Sequence, residues 1–324
     1  MPSSTLNLSD LDGSNGFAIN SPSSAAYDSS SLTISSAGDI NGDGSTDLFV
    51  RLDNTYVPDE YQNSYYSYYS SITATSTYVV FGGPNVGASG SIDLSTLDGN
   101  NGFRLNGTYF QIGLSVTSDS DINGDGIADL IISAPNAYPN DIYDAGSTYV
   151  VFGGTNIGAG GSIDLSTLDG SNGFVINGTT QYESLGNSVI SSSDINNDGI
   201  ADLIIGVPNA DPNDINNAGS TYVVFGGTNM GGDGTLNLST LDGTNGFVIN
   251  GFVADDRSGS SIQGLGDING DGIDDVIISN APYNGYYAEP ATFLAQVMLY
   301  SVVLPQSPAR QQATILSLVL MLGI

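Results

Sequence analysis

Four short strings in this chain place oxygen-bearing side chains at alternating positions. They begin at Asp39, Asp121, Asp194 and Asp267, and each reads Asp-Ile-Asn-(Gly/Asn)-Asp-Gly. In the second copy the oxygens fall at positions 1, 3, 5 and 9, as Asp121, Asn123, Asp125 and Asp129, with a glycine at position 6 for a sharp bend. Position 7, Ile127, would add its backbone carbonyl, which any residue supplies. The same places are held in the first copy by Asp39, Asn41, Asp43, Ser45 and Asp47. In the third they are Asp194, Asn196, Asp198, Ile200 and Asp202, and in the fourth Asp267, Asn269, Asp271, Ile273 and Asp275. Such alternation curls a chain about one point and aims hard oxygens inward, the chemistry of a calcium site. Three carboxylates packed into nine residues would repel one another without a cation. The expected cofactor is Ca2+, about four ions in all, one per loop.

An EF-hand opens the same way but closes on a bidentate Glu at position 12 between two helices. Here position 12 is Val50, Ile132, Ile205 or Ile278, each in a strand-like run, so EF-hand and dockerin geometry are excluded. The plain alternative is an acidic turn on a soluble surface. Its return four times favours the cation.

Composition narrows the chemistry in the same direction. The chain has no histidine and no cysteine, which removes Ser-His-Asp triads, Cys-His pairs and imidazole or thiolate metal sites. It has no lysine, hence no Walker A loop, Schiff base or Ser-Lys pair. The four basic residues are Arg51, Arg104, Arg257 and Arg310, set against 34 acidic ones for a net charge of −30. A surface of that sign repels phosphate backbones and argues against nucleic acid as a partner. Hydrophobic residues make up 40% of the 324, enough for a buried core. The 43 glycines suit many turns and few helices.

The elements that must position these loops recur with them. Leu-Asp-Gly-x-Asn-Gly-Phe starts at Leu11, Leu97, Leu168 and Leu241, and Ser-Thr-Tyr-Val-Val-Phe-Gly-Gly starts at Ser76, Ser147 and Ser220. The last two copies of each string lie 73 residues apart. Between turns come short β-branched and aromatic runs, such as 130–132, 148–152, 174–178 and 185–190. Helical periodicity is absent from 1–285. Four short strands per unit of about 70 residues is the arithmetic of a β-propeller blade. The Asp-Gly and Asn-Gly pairs of the Leu-Asp-Gly string read as tight hairpin turns with positive φ.

On these residues the sequence resembles the FG-GAP repeat, the unit of the integrin α-subunit N-terminal β-propeller and of many bacterial relatives. In that family a calcium loop joins two adjacent strands, and the second ends in Gly-Ala-Pro. The matching stretches are Ser133-Ala134-Pro135, Gly206-Val207-Pro208 and Asn280-Ala281-Pro282; the Phe-Gly element corresponds to Ile112-Gly113, Leu185-Gly186 and, more loosely, Ser258-Gly259. The resemblance covers roughly residues 11–284 and implies an all-β fold of about four FG-GAP-type propeller blades, incomplete or open. Within a repeat region of 1–285 the units are 11–96, 97–167, 168–240 and 241–285. The first repeat departs from the pattern, with Val50-Arg51-Leu52 in place of Gly-Ala-Pro. It also carries a tyrosine-rich insertion holding Tyr56, Tyr61, Tyr65, Tyr66, Tyr68 and Tyr69, a composition suited to recognition or to a solvated loop.

Residues 286–324 have one glycine, Gly323, and no Asp or Asn. This apolar tail, not a recognisable blade, is expected to pack poorly or extend away, as a frameshifted or truncated gene would leave it. Its apolar runs, 291–304 and 313–324, are shorter than the ~20 residues of a membrane-spanning helix, which argues against a membrane anchor.

The resemblance implies a calcium-binding adhesion module whose partner is a protein or glycan on a cell or matrix surface. Two alternatives stand beside it: a purely structural, calcium-stapled segment of a larger secreted protein, and a carboxylate-based hydrolase. Only Glu60, Glu183 and Glu289 supply glutamates, and no unassigned carboxylate pair recurs, so no catalytic residue is expected. Loops without a bidentate Glu should bind calcium in the ~0.1–1 mM range of extracellular modules. That places the protein outside the cell or at its surface, although no N-terminal signal is visible.

Overall fold

The computed structural model describes residues 7–22, 29–56, 72–107, 116–281, 297–303 and 314–320. Along the chain lie β1 (Ala18–Asn20), β2 (Ser29–Gly38), β3 (Asp47–Tyr56), β4 (Ile72–Val80) and β5 (Ser91–Asp93). They are followed by β6 (Gly102–Asn106), β7 (Val116–Ser120), β8 (Asp129–Ala134), β9 (Ser147–Val151) and β10 (Ser162–Asp164). Next come β11 (Gly173–Asn177), β12 (Ser188–Ser193), β13 (Asp202–Val207), β14 (Ser220–Val224) and β15 (Gly246–Asn250). The last are β16 (Ser261–Gly266), β17 (Asp275–Ser279), β18 (Val297–Val303) and β19 (Thr314–Leu320). Helical structure among the described residues is limited to three-residue 3-10 turns, such as Leu94–Thr96. The all-β expectation holds.

Two compact units result, Met1–Phe110 with Gly154–Thr167, and Gln111–Gly153 with Leu168–Ile324. In the first unit β2, β3, β4 and β6 form one antiparallel sheet, and β10 adds to β6 in parallel. In the second unit the sheets run β7-β8-β9-β11, β12-β13-β14-β15 and β16-β17-β18-β19. Each is a four-stranded antiparallel blade. In the first two of these the blade is out of phase with the sequence unit, because its fourth strand is the Gly-Phe-x-x-Asn run of the following repeat. Phe174 of β11 sits opposite Val150 of β9, and Phe247 of β15 opposite Val223 of β14.

Burial explains why the central strands read as continuous apolar runs. Every residue of β8 and of β13 is buried, and β13 lies between two cores that cover both of its faces. One core holds Ile131, Val150, Phe174, Ile176, Leu203 and Ile205, and the next holds Ile204, Val223, Ile249, Ile262, Val276 and Ile278. The two cores share β13, whose alternate residues enter each. In the first unit Val50, Leu52, Tyr78, Val80 and Leu94 form their own cluster.

Two expectations change. The Leu-Asp-Gly string is not a hairpin turn: it links a 3-10 turn to an outer strand. Its glycines do adopt positive φ, at Gly99 and Gly102 for example, and its asparagine and aspartate lock the loop. Asn101 Nδ2 donates to the Thr96 carbonyl at 3.3 Å, and the Asp98 carboxylate accepts the Asn100 N–H at 2.9 Å. The tail also differs. Its described residues do not extend away from the repeats, because β18 pairs with β17 and β19 with β18 in antiparallel register. The edge of β17 presents unpaired N–H and C=O groups that any extended segment satisfies. Backbone pairing does not read the repeat motif, so a run without Gly or Asp can still take the outer places.

The first-repeat departure has a structural reason. Where the other second strands stop, β3 runs on, and Arg51 lies buried in it with an ion pair of 2.7 Å to Asp53. The insertion with Tyr61, Tyr65, Tyr66, Tyr68 and Tyr69, and the Ile112-Gly113 pair, lie outside the described residues. The other two Phe-Gly counterparts are placed alike: Gly186 donates to the Gly206 carbonyl and Gly259 to that of Ser279, both at 3.2 Å.

Candidate functional site

Each acidic loop joins the first two strands of a blade. A register shift precedes it in every case, between Thr117 and Ser120 in the second blade and between Ile190 and Ser193 in the third. The bulge turns the chain out of the ladder and into the loop. The bend at position 6 needs the left-handed region, and Gly126 supplies it at φ 87°.

The five oxygen positions take distinct roles. Position 1 organises the loop: Asp121 Oδ1 accepts the N–H groups of Gly124 and Asp125 at 2.6 and 3.1 Å, and Oδ2 that of Gly126 at 2.7 Å. Asp267 does the same with Gly270, Asp271 and Gly272, while Asp39 accepts the N–H groups of Asp43 and Gly44, and Asp194 those of Asp198 and Gly199. Position 3 meets position 5, with Asn123 Nδ2 donating to Asp125 Oδ2 at 3.1 Å and Asn123 Oδ1 accepting the Asp125 N–H at 2.8 Å. Asn41 with Asp43 and Asn196 with Asp198 repeat the pair. Position 5 accepts the N–H of position 7, so Asp125 holds Ile127, Asp43 holds Ser45, Asp198 holds Ile200 and Asp271 holds Ile273.

Position 9 is the buried acid, and its role was not legible beforehand. Asp129 is fully buried and accepts from Ile122 N–H at 2.8 Å and Asn123 N–H at 3.3 Å through Oδ2. Its Oδ1 accepts from Gly153 N–H at 2.9 Å, the first glycine of the Phe-Gly-Gly that follows the third strand. Asp47 does this with Ile40 and Gly82, and Asp202 with Ile195, Asn196 and Gly226. This acid therefore clamps the loop to the third strand of its own blade. The fourth loop lacks that glycine, and Asp275 takes Ile268 N–H and Asn269 Nδ2 instead. Burial pushes Asp129 and Asp202 up to about 7 and Asp47 up to about 6. The donated N–H bonds oppose this, and the neighbouring carboxylates of positions 1 and 5 add to it.

Whether these residues fit a hard cation is a matter of remaining lone pairs. An ionised carboxylate has about four acceptor sites and an amide oxygen about two. Asp121 and Asp129 each accept three N–H bonds, Asp125 two and Asn123 one. Each therefore retains an oxygen lone pair for a metal, and the donor set is wholly oxygen. The donors fit calcium. Among the described residues, no three carboxylates are already gathered as a metal-holding group.

A family model, the FG-GAP repeat, matches residues 113–151 and 186–224, which carry the second and third loops with their strands. The chain is similar to phosphatidylinositol-glycan-specific phospholipase D of Bos taurus, 32% identical over 125 residues, 38% of this chain and 14% of that protein. It is similar to integrin alpha-5 of Xenopus laevis, 31% identical over 109 residues, 32% of this chain and 9% of that protein. Against integrin alpha-2 of Bos taurus it is 28% identical over 230 residues, 66% of this chain and 17% of that protein. The matched stretches are thus less than a fifth of each relative's length. The chain carries FG-GAP repeats, is integrin-alpha-like over them, and has the all-β fold of propeller blades.

Proposed function

We propose that this FG-GAP repeat chain is a calcium-stapled β-propeller module that binds a protein or glycan ligand outside the cell. The observation that carries the calcium reading is the loop itself. Four copies carry oxygen donors along one bend, those of the second keep lone pairs to spare, and the buried acid clamps three of the loops to a neighbouring strand. Asp121, Asn123, Asp125, the Ile127 carbonyl and Asp129 would hold the ion in the second blade, with the equivalent positions serving in the others. A bound cation would offset the mutual repulsion of these carboxylates and lock two strands together. Its role is structural, and no reaction is assigned to it.

Ligand binding rests on similarity to integrin alpha chains over the repeats. The phospholipase relatives share 14% of their length with this chain, so their named reaction does not transfer, and we read the module as non-enzymatic. An extracellular setting follows from the millimolar calcium that loops of this kind need. Among the described residues no helix is long and apolar enough to cross a membrane.

Thermal melting in calcium and in chelator tests the reading. A site filled at 100 times its dissociation constant adds about 2.7 kcal/mol. Four sites would raise the melting temperature by more than about 10 °C, since 1 kcal/mol is worth about 2–4 °C at 150–250 residues and somewhat less in a longer chain. An identical melting curve in EDTA would sink the calcium assignment.

A further inference from the structure

Two neighbouring blades of the second unit carry the same pair of loops 73 residues apart, one pair lined by tyrosines and the other by polar residues. In the second blade, residues 137–146 and 178–186 bring Tyr138, Tyr143 and Tyr182 together. Tyr138 and Tyr143 stack with ring centroids 4.5 Å apart, and Tyr143 meets Tyr182 edge-on at 5.5 Å. The three remain 38%, 48% and 56% exposed, so the cluster is a surface and not a core. The third blade has Asp211, Asn216 and Asp255 at the equivalent places, joined by Asn216 Nδ2 to Asp255 Oδ1 at 3.2 Å.

The backbone is the same in both. Tyr182 N–H donates to the Tyr143 carbonyl at 3.0 Å, and Asp255 N–H to that of Asn216 at 2.9 Å. Ser184 N–H reaches the Asp144 carbonyl at 3.1 Å, and Arg257 N–H that of Asn217 at 3.0 Å. The fold is thus built equally well without the rings. Tyr182 even occupies the left-handed region, φ 67°, where its counterpart Asp255 has φ 62°. An aspartate tolerates that conformation, whereas a bulky ring there is a strained choice that points to function.

The exchange also states what ligand suits the surface. Two carboxylates and an amide give way to three phenols, so charge is removed while flat apolar faces and hydroxyls are added. A site built for a hard metal cation would have kept the carboxylates, and an organic cation held by the ring faces is the rival that an arginine-rich probe tests. Anions are disfavoured as well, because the counterpart of Arg257 is Ser184 and the chain carries −30 overall. What remains is a neutral ligand with an apolar face and many hydroxyl donors. A pyranose fits: its C–H face lies on a ring, and its hydroxyls donate to Asp144 beside Tyr138 and to the phenols. Rigid rings order on binding at small entropic cost.

We propose that Tyr138, Tyr143 and Tyr182 form a binding platform for a neutral glycan. This deepens the binding-module reading above and rests on it, but not on calcium. The test is calorimetry of the calcium-loaded chain with neutral hexasaccharides of glucose, mannose, galactose and N-acetylglucosamine, and with octa-arginine as the contrasting probe. The wild-type chain should bind at least one hexasaccharide with a stoichiometry of one. The Y138D/Y143N/Y182D variant, which carries the sister blade's own residues, should melt as the wild type does and bind that sugar at least tenfold more weakly. The reverse graft D211Y/N216Y/D255Y should raise the stoichiometry to two, a readout that survives even if the first variant fails to fold. No binding of any hexasaccharide, equal binding by the folded triple variant, or binding of octa-arginine alone overturns the platform. Calcium-dependent melting in the same samples is untouched by such a failure, so only the partner class would fall.

Discussion

At the scale of single residues, the acidic loops divide labour between exposed and buried acids. Asp125 faces outward and keeps two acceptor sites free, whereas Asp129 is committed to three N–H groups across two elements. We expect Asp125→Ala to lose calcium at its own blade while the other three loops stay loaded. Calorimetry that still counted four equivalent sites would contradict that assignment. Arg51 offers a test that owes nothing to metal. It is buried beside Asp53, whose side chain keeps 21% exposure. Removing Asp53 takes one partner from a buried guanidinium. Asp53→Ala should therefore cost about 1 kcal/mol, well below the ~3–5 kcal/mol of stripping a buried charge of its partner, because Asp53 is partly solvated and Arg51 holds other contacts. A urea midpoint unchanged from wild type would show that the pair contributes nothing.

At the scale of elements, the third and fourth strands of the last blade come from a segment that lacks the repeat motif. β17 has buried Val276 and Ile278 and pairs on one side with β16 and on the other with β18. Removing residues 297–324 would strip one ladder from a strand whose side chains stay apolar. Such an edge is a template for pairing with another chain. The truncated chain should therefore scatter light and form soluble oligomers at concentrations where the full chain does not. Monodisperse behaviour would mean that β17 does not depend on β18.

At the scale of the whole molecule, the recurring turns set the response to acid. The carboxylates of Asp12, Asp98, Asp169 and Asp242 are held below the usual range, chiefly by bonds from the serine, asparagine or threonine two residues on. Asp93 and Asp164 are lowered in the same way by Ser95 and Ser166. An acid whose folded pKa is depressed contributes stability above its unfolded value near 4, and that stability is lost as pH falls through the lower folded value. The turns recur in every repeat, so the losses add. In chelator, so that acid release of calcium from the loops does not enter, the melting temperature should fall steadily from pH 4.5 to pH 2.5. A flat profile over that window would show that these bonds carry no net stability.

The periodic features of this protein were legible in its sequence because local chemistry dictates them. Alternating oxygens with a glycine at position 6 favour a tight curl, and short runs rich in β-branched residues, such as Leu130-Ile131-Ile132 between turns, favour extension. Repetition then made the blades countable. Three things waited for the tertiary structure, each because it depends on partners distant in the chain. The clamp from Asp129 to Gly153 spans 24 residues. The phase of the blade follows from the fourth strand's pairing with the repeat before it, which no single unit reveals. The outer strands β18 and β19 form because an open edge binds extended backbone whatever its side chains, so their composition gave no sign of where they would go.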